Sequence, residues 1–272
     1  MNVRIPTRIP PRRLLTSLAV CGALVIAGPV AVAQAAANSA ADSGRTVHFA
    51  GLPEVGALFS SPDYTGASAS HFCTASVIDS PRGDLVLTAA HCVAGFVAGA
   101  YTPGTITFAP GYDNGPVARF GGVWSVEQVD VSPGYLADQN PEDDYAILVI
   151  APSNGQQIQQ VTGGLRLGTT RLPEPVSVVG YNDLVYDVDG NEPISCRSTA
   201  FEETDAGEPW ARFDCPNYQD GTSGGPWITR NGTVVGVIGG YEQGGDSPNW
   251  SYSAIFNADT LAFYRSVAFS AA

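Results

Sequence analysis

The sequence predicts an all-β protein, on three observations. Between about Val47 and Ala268, short runs of Val, Ile, Leu, Tyr and Phe alternate with clusters of Gly, Pro, Asn and Asp, the composition of strands closed by tight turns. One hairpin is legible residue by residue: Trp227-Ile228-Thr229-Arg230, the turn Asn231-Gly232, then Thr233-Val234-Val235-Gly236-Val237. Helical spacing is persuasive only at the C-terminus.

Residues 1–35 read as a signal peptide rather than as fold. Arg4, Arg8, Arg12 and Arg13 precede an apolar run from Leu14 to Val32, with small-residue cleavage motifs at Ala31-Val32-Ala33 and Ala33-Gln34-Ala35. Gly22, Gly28 and Pro29 interrupt that run, which argues against a membrane span. Residues 36–47 are then expected to be a short pro-segment or a disordered N-terminus. Strands are expected at Ala57 to Phe59, Thr74 to Ile78, Asp84 to Thr88, Thr105 to Ala109, Gly122 to Val131 and Tyr145 to Ile150. After a connector near Ala151 to Gln160, further strands are expected at Val176 to Gly180, Ile194 to Ala200, Pro226 to Ile228 and Thr233 to Gly240. In the terminal helix Asn257 serves as the cap and Asp259 sits in the first turn. Leu261, Tyr264, Val267 and Ala268 form its packing stripe.

The chain of 272 residues has 13 basic and 26 acidic side chains, a net charge of −13. The four leader arginines account for part of the positive charge, so the remainder carries −17, with Arg as its only strong base. That balance argues against nucleic acid or an anionic membrane as partner and suits a secreted, extracellular monomer. Cys21 leaves with the signal, and Cys73, Cys92, Cys196 and Cys215 remain, an even number for an oxidising compartment. Pairing Cys73 with Cys92 and Cys196 with Cys215 closes two loops of about 20 residues, each worth ~3 kcal/mol in the chain-entropy account. No CxxC or CxxH spacing is present, so neither a metal nor a cofactor is expected.

Three strings carry chemistry: Thr88-Ala89-Ala90-His91-Cys92, Asp144-Tyr145-Ala146-Ile147-Leu148 and Asp220-Gly221-Thr222-Ser223-Gly224-Gly225-Pro226. A serine hydroxyl attacks well only when a base takes its proton, and the base works only when a third group holds its tautomer. Ser223, His91 and Asp144 suit these roles. The glycines around Ser223 allow an exposed turn, with the backbone N–H groups of Gly221 and Ser223 free to face a developing oxyanion. His91 follows a strand and is pinned by Cys92. Asp144 opens an apolar run that carries its carboxylate to the edge of a buried strand, with Asp143 as its solvated neighbour. His71 lacks an orienting context and reads as a packing or surface residue. Gly221-Thr222-Ser223-Gly224-Gly225 also fits the G-x-S-x-G esterase pattern, but that fold needs a His after the nucleophile and none follows. Asp187, Asp189 and Asn191 alternate like the start of a calcium loop, yet Glu192 and Ser198 occupy positions that need Gly and Glu.

On these three strings, with Cys73 upstream and the Asn-Gly hairpin downstream, the chain resembles the chymotrypsin/trypsin-like serine proteases in their secreted bacterial form. The resemblance implies two antiparallel six-stranded β-barrels packed together with a C-terminal α-helix. The first barrel would take residues 48–155, the second 156–256 and the helix 257–272. It also implies cleavage of a protein or peptide substrate through an acyl-enzyme, or, in the rival reading, a catalytically silent homologue acting as an extracellular binding module. Two departures stand out. Thr222 replaces the Asp that pairs with a new N-terminus in the animal enzymes, and Gly239 replaces a Ser that supports the catalytic acid. Counting back from Ser223 puts Asn217 at the base of the primary pocket, with Gly239, Gly240 and Tyr241 as its wall and as the edge for substrate backbone. A neutral or apolar residue before the cut is therefore expected.

Overall fold

A computed structural model describes residues 44–60, 71–97, 101–113 and 119–270, apart from positions 186, 188, 190 and 206. The signal segment therefore lies outside the described residues. Among the described residues, no helix is long and apolar enough to cross a membrane.

The elements, in chain order, are β1 (Val47–His48), β2 (Val55–Phe59), β3 (Cys73–Val77), β4 (Leu85–Thr88), α1 (Ala90–Val97), β5 (Thr107–Pro110) and β6 (Trp124–Val131). Next come α2 (Pro133–Asp138), β7 (Ala146–Ile150), α3 (Ile158–Thr162), β8 (Arg166–Leu167), β9 (Glu174–Gly180), β10 (Ile194–Asp205) and β11 (Glu208–Asp214). The chain ends with β12 (Pro226–Thr229), β13 (Thr233–Val237), β14 (Trp250–Ser253) and α4 (Ala258–Ala268).

The fold class is as expected. Six strands close into a barrel in the order β2-β3-β4-β7-β6-β5. β2, β3, β4 and β5 are buried at every position rather than at alternate ones. Such continuous burial means that both faces of these strands are covered, which explains why they read as unbroken apolar runs. The second half is a sheet with the path β14-β11-β10-β9-β12-β13-β8, and β1 adds to β10. Its two-residue β8 and β1 lie outside the six strands that wrap around. β13 meets β14 not through a ladder but through Val237 N–H to Ser253 Oγ (3.1 Å) and Gly239 N–H to Tyr252 O (3.0 Å). β1 places Val47 and His48 against Ser195 and Ile194, and Gly44 N–H bonds to Arg197 O, so the chain runs along the second sheet before it enters the first barrel.

Each expected strand forms, with ends shifted by a few residues. β13 stops at Val237 rather than Gly240: Ile238 still bonds to Gly224 and Gly225, but Gly239 N–H turns to Tyr252 O and Gly240 N–H to Asp144. The β12–β13 loop has three residues, not two: Gly232 N–H bonds to Thr229 O, and Gly232 takes φ +75°. The terminal helix is not the only one. α1, α2 and α3 are short, and their periodicity is too brief to stand out in sequence. Asn257 does cap α4, accepting from the N–H groups of Asp259 and Thr260. Tyr264, Val267 and Ala268 pack on the core, with Phe263 in the contact expected of Leu261. Both disulfides form as paired from the sequence, Cys73–Cys92 and Cys196–Cys215.

Candidate active site

β4 ends at Thr88, and two small residues later α1 presents His91 in its first turn. On the neighbouring strand, Pro141 opens a 3-10 turn that Asn140 caps by accepting from Glu142 N–H (3.1 Å), and this turn delivers Asp144 just before β7. β4 and β7 pair Thr88 with Ala146, so the sheet register itself brings imidazole and carboxylate together. Asp144 Oδ2 lies 2.7 Å from His91 Nδ1, and Oδ1 accepts the His91 backbone N–H at 2.9 Å. The carboxylate is fully buried, while the imidazole keeps a small exposed edge. Two bonds from one carboxylate to one histidine fix the ring plane and place the proton on Nδ1, which leaves Nε2 to act as a base.

Asp143 is set apart from this pair. It accepts from Asn140 Nδ2 and the Tyr145 hydroxyl, both at 3.0 Å, and borders a hollow of about 360 Å³ between α2 and α4 that does not reach Ser223. Burial, followed by that carboxylate's charge, pushes the Tyr145 phenol up to about 12.

Ser223 comes from the loop before β12. Its carbonyl accepts Thr74 N–H (2.8 Å) from β3, next to the Cys73–Cys92 bridge that also holds the turn of His91. The following Gly224 is wedged on the same corner, where a Cβ would collide with Thr74 O and Thr88 Oγ1 and lie 3.0 Å from Ala89 N. A side chain is therefore excluded beside the nucleophile candidate for steric reasons as well as for turn geometry. Ser223 and His91 thus share one corner, although their side chains do not hydrogen-bond to each other in this conformation. Such bonds are often long before substrate binds.

The loop is oriented by its own carbonyls. Asp220 O accepts Asp183 N–H (2.6 Å) and Thr222 O accepts Gly225 N–H (2.8 Å). Because carbonyl and N–H point opposite ways across a trans peptide, the Gly221 and Ser223 N–H groups turn to the other side. Neither N–H has a hydrogen-bond partner among the described residues. Thr222 is buried, and its hydroxyl donates to Gln219 O (2.7 Å), a local tie in place of a charged one. Thr74 Oγ1 adds a bond to Gly221 O (3.0 Å). This role of Thr74 was not visible in sequence, although its place next to Cys73 was the available clue.

A cavity of about 160 Å³ opens beside Ser223. Ile238, Gly244 and Gly245 form apolar and backbone wall, and Asp220, Gln243 and Asp246 supply polar groups. Among the described residues, no cationic side chain lines it. Asn217 is exposed, takes φ +69° and lies outside this lining; its carbonyl accepts from Asn182 Nδ2 (3.1 Å). Gly239, Gly240 and Tyr241 are not part of the lining either. Tyr241 stacks on Trp210 (5.3 Å between centroids) and meets Tyr252 edge-on, and its hydroxyl bonds to Asp205, which with nearby carboxylates pushes the phenol up to about 12. His71 is buried against Phe59, Tyr112 and Tyr181, a packing residue. Near the calcium-like string, Asp187, Asp189 and His48 of β1 stand together as exposed or half-exposed groups, and Asp187 already accepts from Asn182 Nδ2 and Asp189 N–H.

Residues 73–237 match the family model of the trypsin-like peptidase domain. No curated protein matches the chain. Among solved structures, the chain is similar to the protease Anisep from Arthrobacter nicotinovorans, with a TM-score of 0.68 and 23% identity over 83% of this chain and 100% of that one. It is also similar to AL20, a thermostable serine protease from an extremophilic microorganism, with a TM-score of 0.64 and 25% identity over 80% and 98% of the two chains. A Glu endopeptidase solved in complex with MPD gives a TM-score of 0.60 and 19% identity over 85% of this chain and 99% of that one.

Proposed function

The chain belongs to the family of trypsin-like peptidases and is a serine endopeptidase, and from that premise we propose that it is a secreted enzyme whose triad is His91, Asp144 and Ser223. In this reading Ser223 Oγ attacks the scissile carbonyl as His91 Nε2 takes its proton, and Asp144 stabilises the imidazolium that results. The negative charge that moves onto the substrate oxygen is met by the N–H groups of Gly221 and Ser223. Collapse of the tetrahedral intermediate breaks the C–N bond, and His91 returns the proton to the leaving amine. Water then attacks the acyl-enzyme with His91 again as base, freeing the acid and the Ser223 hydroxyl.

The observation that carries this reading is the conjunction of a buried Asp144–His91 pair with two unpaired N–H groups flanking a serine on the same corner. The basic leader, the two disulfides and the strongly acidic remainder support export and a protein or peptide substrate outside the cell. The polar cavity beside Ser223, with Asp220 and Asp246 in its lining, supports an electropositive or neutral hydrogen-bonding residue before the cut, narrowing the neutral or apolar expectation toward the polar side. The test is covalent: a fluorophosphonate probe labels Ser223 in the folded protein, and Ser223→Ala loses both labelling and casein hydrolysis while its melting curve stays put. Folded wild-type protein that resists the probe would instead support the silent binding module.

A further inference from the structure

Asp144 receives three hydrogen bonds among the described residues, and two of them come from His91, the residue it has to orient. The third is the Gly240 backbone N–H, 2.8 Å from Oδ2. It alone comes from an independent element, the stretch after β13. That stretch is itself seated on the β14 edge through Gly239 N–H to Tyr252 O at 3.0 Å. A carboxylate and imidazole bonded only to each other could turn as a unit; a donor from a separate, packed element fixes both.

The two glycines suit this task for different reasons. A Cβ on Gly239 would lie 2.8 Å from Asp144 Oδ2 and 3.3 Å from Ala89 Cβ, so any side chain there displaces the carboxylate. Gly240 takes φ +77° and ψ −130°, and a Cβ on it would lie 2.7 Å from Ala254 N. That conformation turns the peptide N–H toward Asp144, and an L side chain rarely adopts it. The serine that the resemblance implies at position 239 therefore has no room here, and a backbone donor one residue later does its work.

We propose that Gly239 and Gly240 form a positioning device for Asp144: Gly239 leaves the space beside the carboxylate empty, and the Gly240 N–H locks the Asp144–His91 pair to the half of the molecule that carries Ser223. The inference rests on the triad reading above. The titratable groups facing Asp144 are His91 and the Tyr135 phenol, whose ionisation is pushed up first by burial and then by the charge of Asp144.

The test removes one N–H without adding an atom, by incorporating glycolic acid in place of Gly240 in the full chain so that an ester replaces the 239–240 amide. The expected result is a kcat lowered tenfold or more with KM within twofold, together with a shift of the low-field proton resonance of His91 Nδ1–H. Should the ester variant fail to fold, Gly239→Ala takes its place. Its kcat falls with KM within twofold, and the low-field resonance moves as the carboxylate is displaced. Wild-type kcat in the substituted protein, or a loss of activity with the low-field resonance unmoved, overturns the inference. Ser223→Ala and His91→Ala serve as parallel controls. If either keeps hydrolytic activity, the triad reading itself fails; if both are inactive while the glycine variants match wild type, only the positioning device fails.

Discussion

Replacing Cys73 and Cys92 together by Ala tests whether the first disulfide only stabilises the fold or also aligns the site. The two bridges have the same sequence separation, 19 residues, so their chain-entropy contributions are equal by construction. For a closed loop of about 20 residues that contribution is ~3 kcal/mol at 25 °C. For a domain of this size, such a loss lowers Tm by about 6–12 °C. The two pairs differ in what they hold. Cys92 follows His91, and Cys73 precedes the Thr74 whose N–H and hydroxyl bind Ser223 O and Gly221 O. Cys196 and Cys215 instead tie β10 to the segment after β11. The Cys73→Ala/Cys92→Ala protein is expected to lose ~3 kcal/mol in urea titrations followed by circular dichroism, with a raised m-value because its unlinked denatured chain is more expanded. In native buffer its kcat should also fall about tenfold, a cost of ~1.4 kcal/mol in the transition state. The Cys196→Ala/Cys215→Ala protein is expected to lose similar stability with kcat within twofold. Equal kcat values in the two double variants would refute the view that the first bridge positions His91 against Ser223.

Two further outcomes follow from the charges. Glu54 is partly buried near Asp79, and desolvation first, with that neighbour's charge adding to it, raises its carboxyl above the usual 4.5. The protonated form is therefore the one the fold favours, so this contribution is complete below about pH 4.5 and is lost as pH rises through the folded value. Glu54→Gln should stabilise the protein at pH 7 and give no gain at pH 4; urea midpoints at both pH values decide, and a destabilised variant at pH 7 sinks the argument. At the cavity beside Ser223, Asp246→Asn should lower kcat/KM for peptides with Lys or Arg before the cut by several-fold and leave those with Gln nearly unchanged. A peptide-library profile of both proteins shows this directly, and an apolar preference in wild type contradicts it.

The site was legible where local chain geometry does the positioning. The strings around His91, Asp144 and Ser223 each join a strand end to a turn, and small residues at Ala89, Ala90, Gly221 and Gly224 mark where another chain segment comes close. The cysteine spacing was equally local. Two strands not expected from the sequence depend on distant partners. Trp250-Ser251-Tyr252-Ser253 has no run of apolar residues, yet becomes β14 because Ala211 to Asp214 offers it a ladder. Val47 and His48 are a strand only because Ile194 and Ser195 stand beside them. The lining of the cavity beside Ser223 was not legible for the same reason: Gln243 and Asp246 reach it from a later turn, while the Asn217 carbonyl is held by the buried Asn182 side chain.

The sequence determined by itself that this chain would be built of strands, where most of them would lie, and which imidazole, carboxylate and hydroxyl had local settings suited to acyl transfer. Only the tertiary structure decided that Asp144 is held by a backbone N–H from Gly240, that Thr74 braces the Ser223 turn, and that among the described residues no cation lines the neighbouring cavity. Periodicity and turn chemistry act over a few residues and are written in neighbouring letters. Hydrogen bonds between segments a hundred residues apart depend on sheet register and barrel closure, which no short stretch of sequence contains.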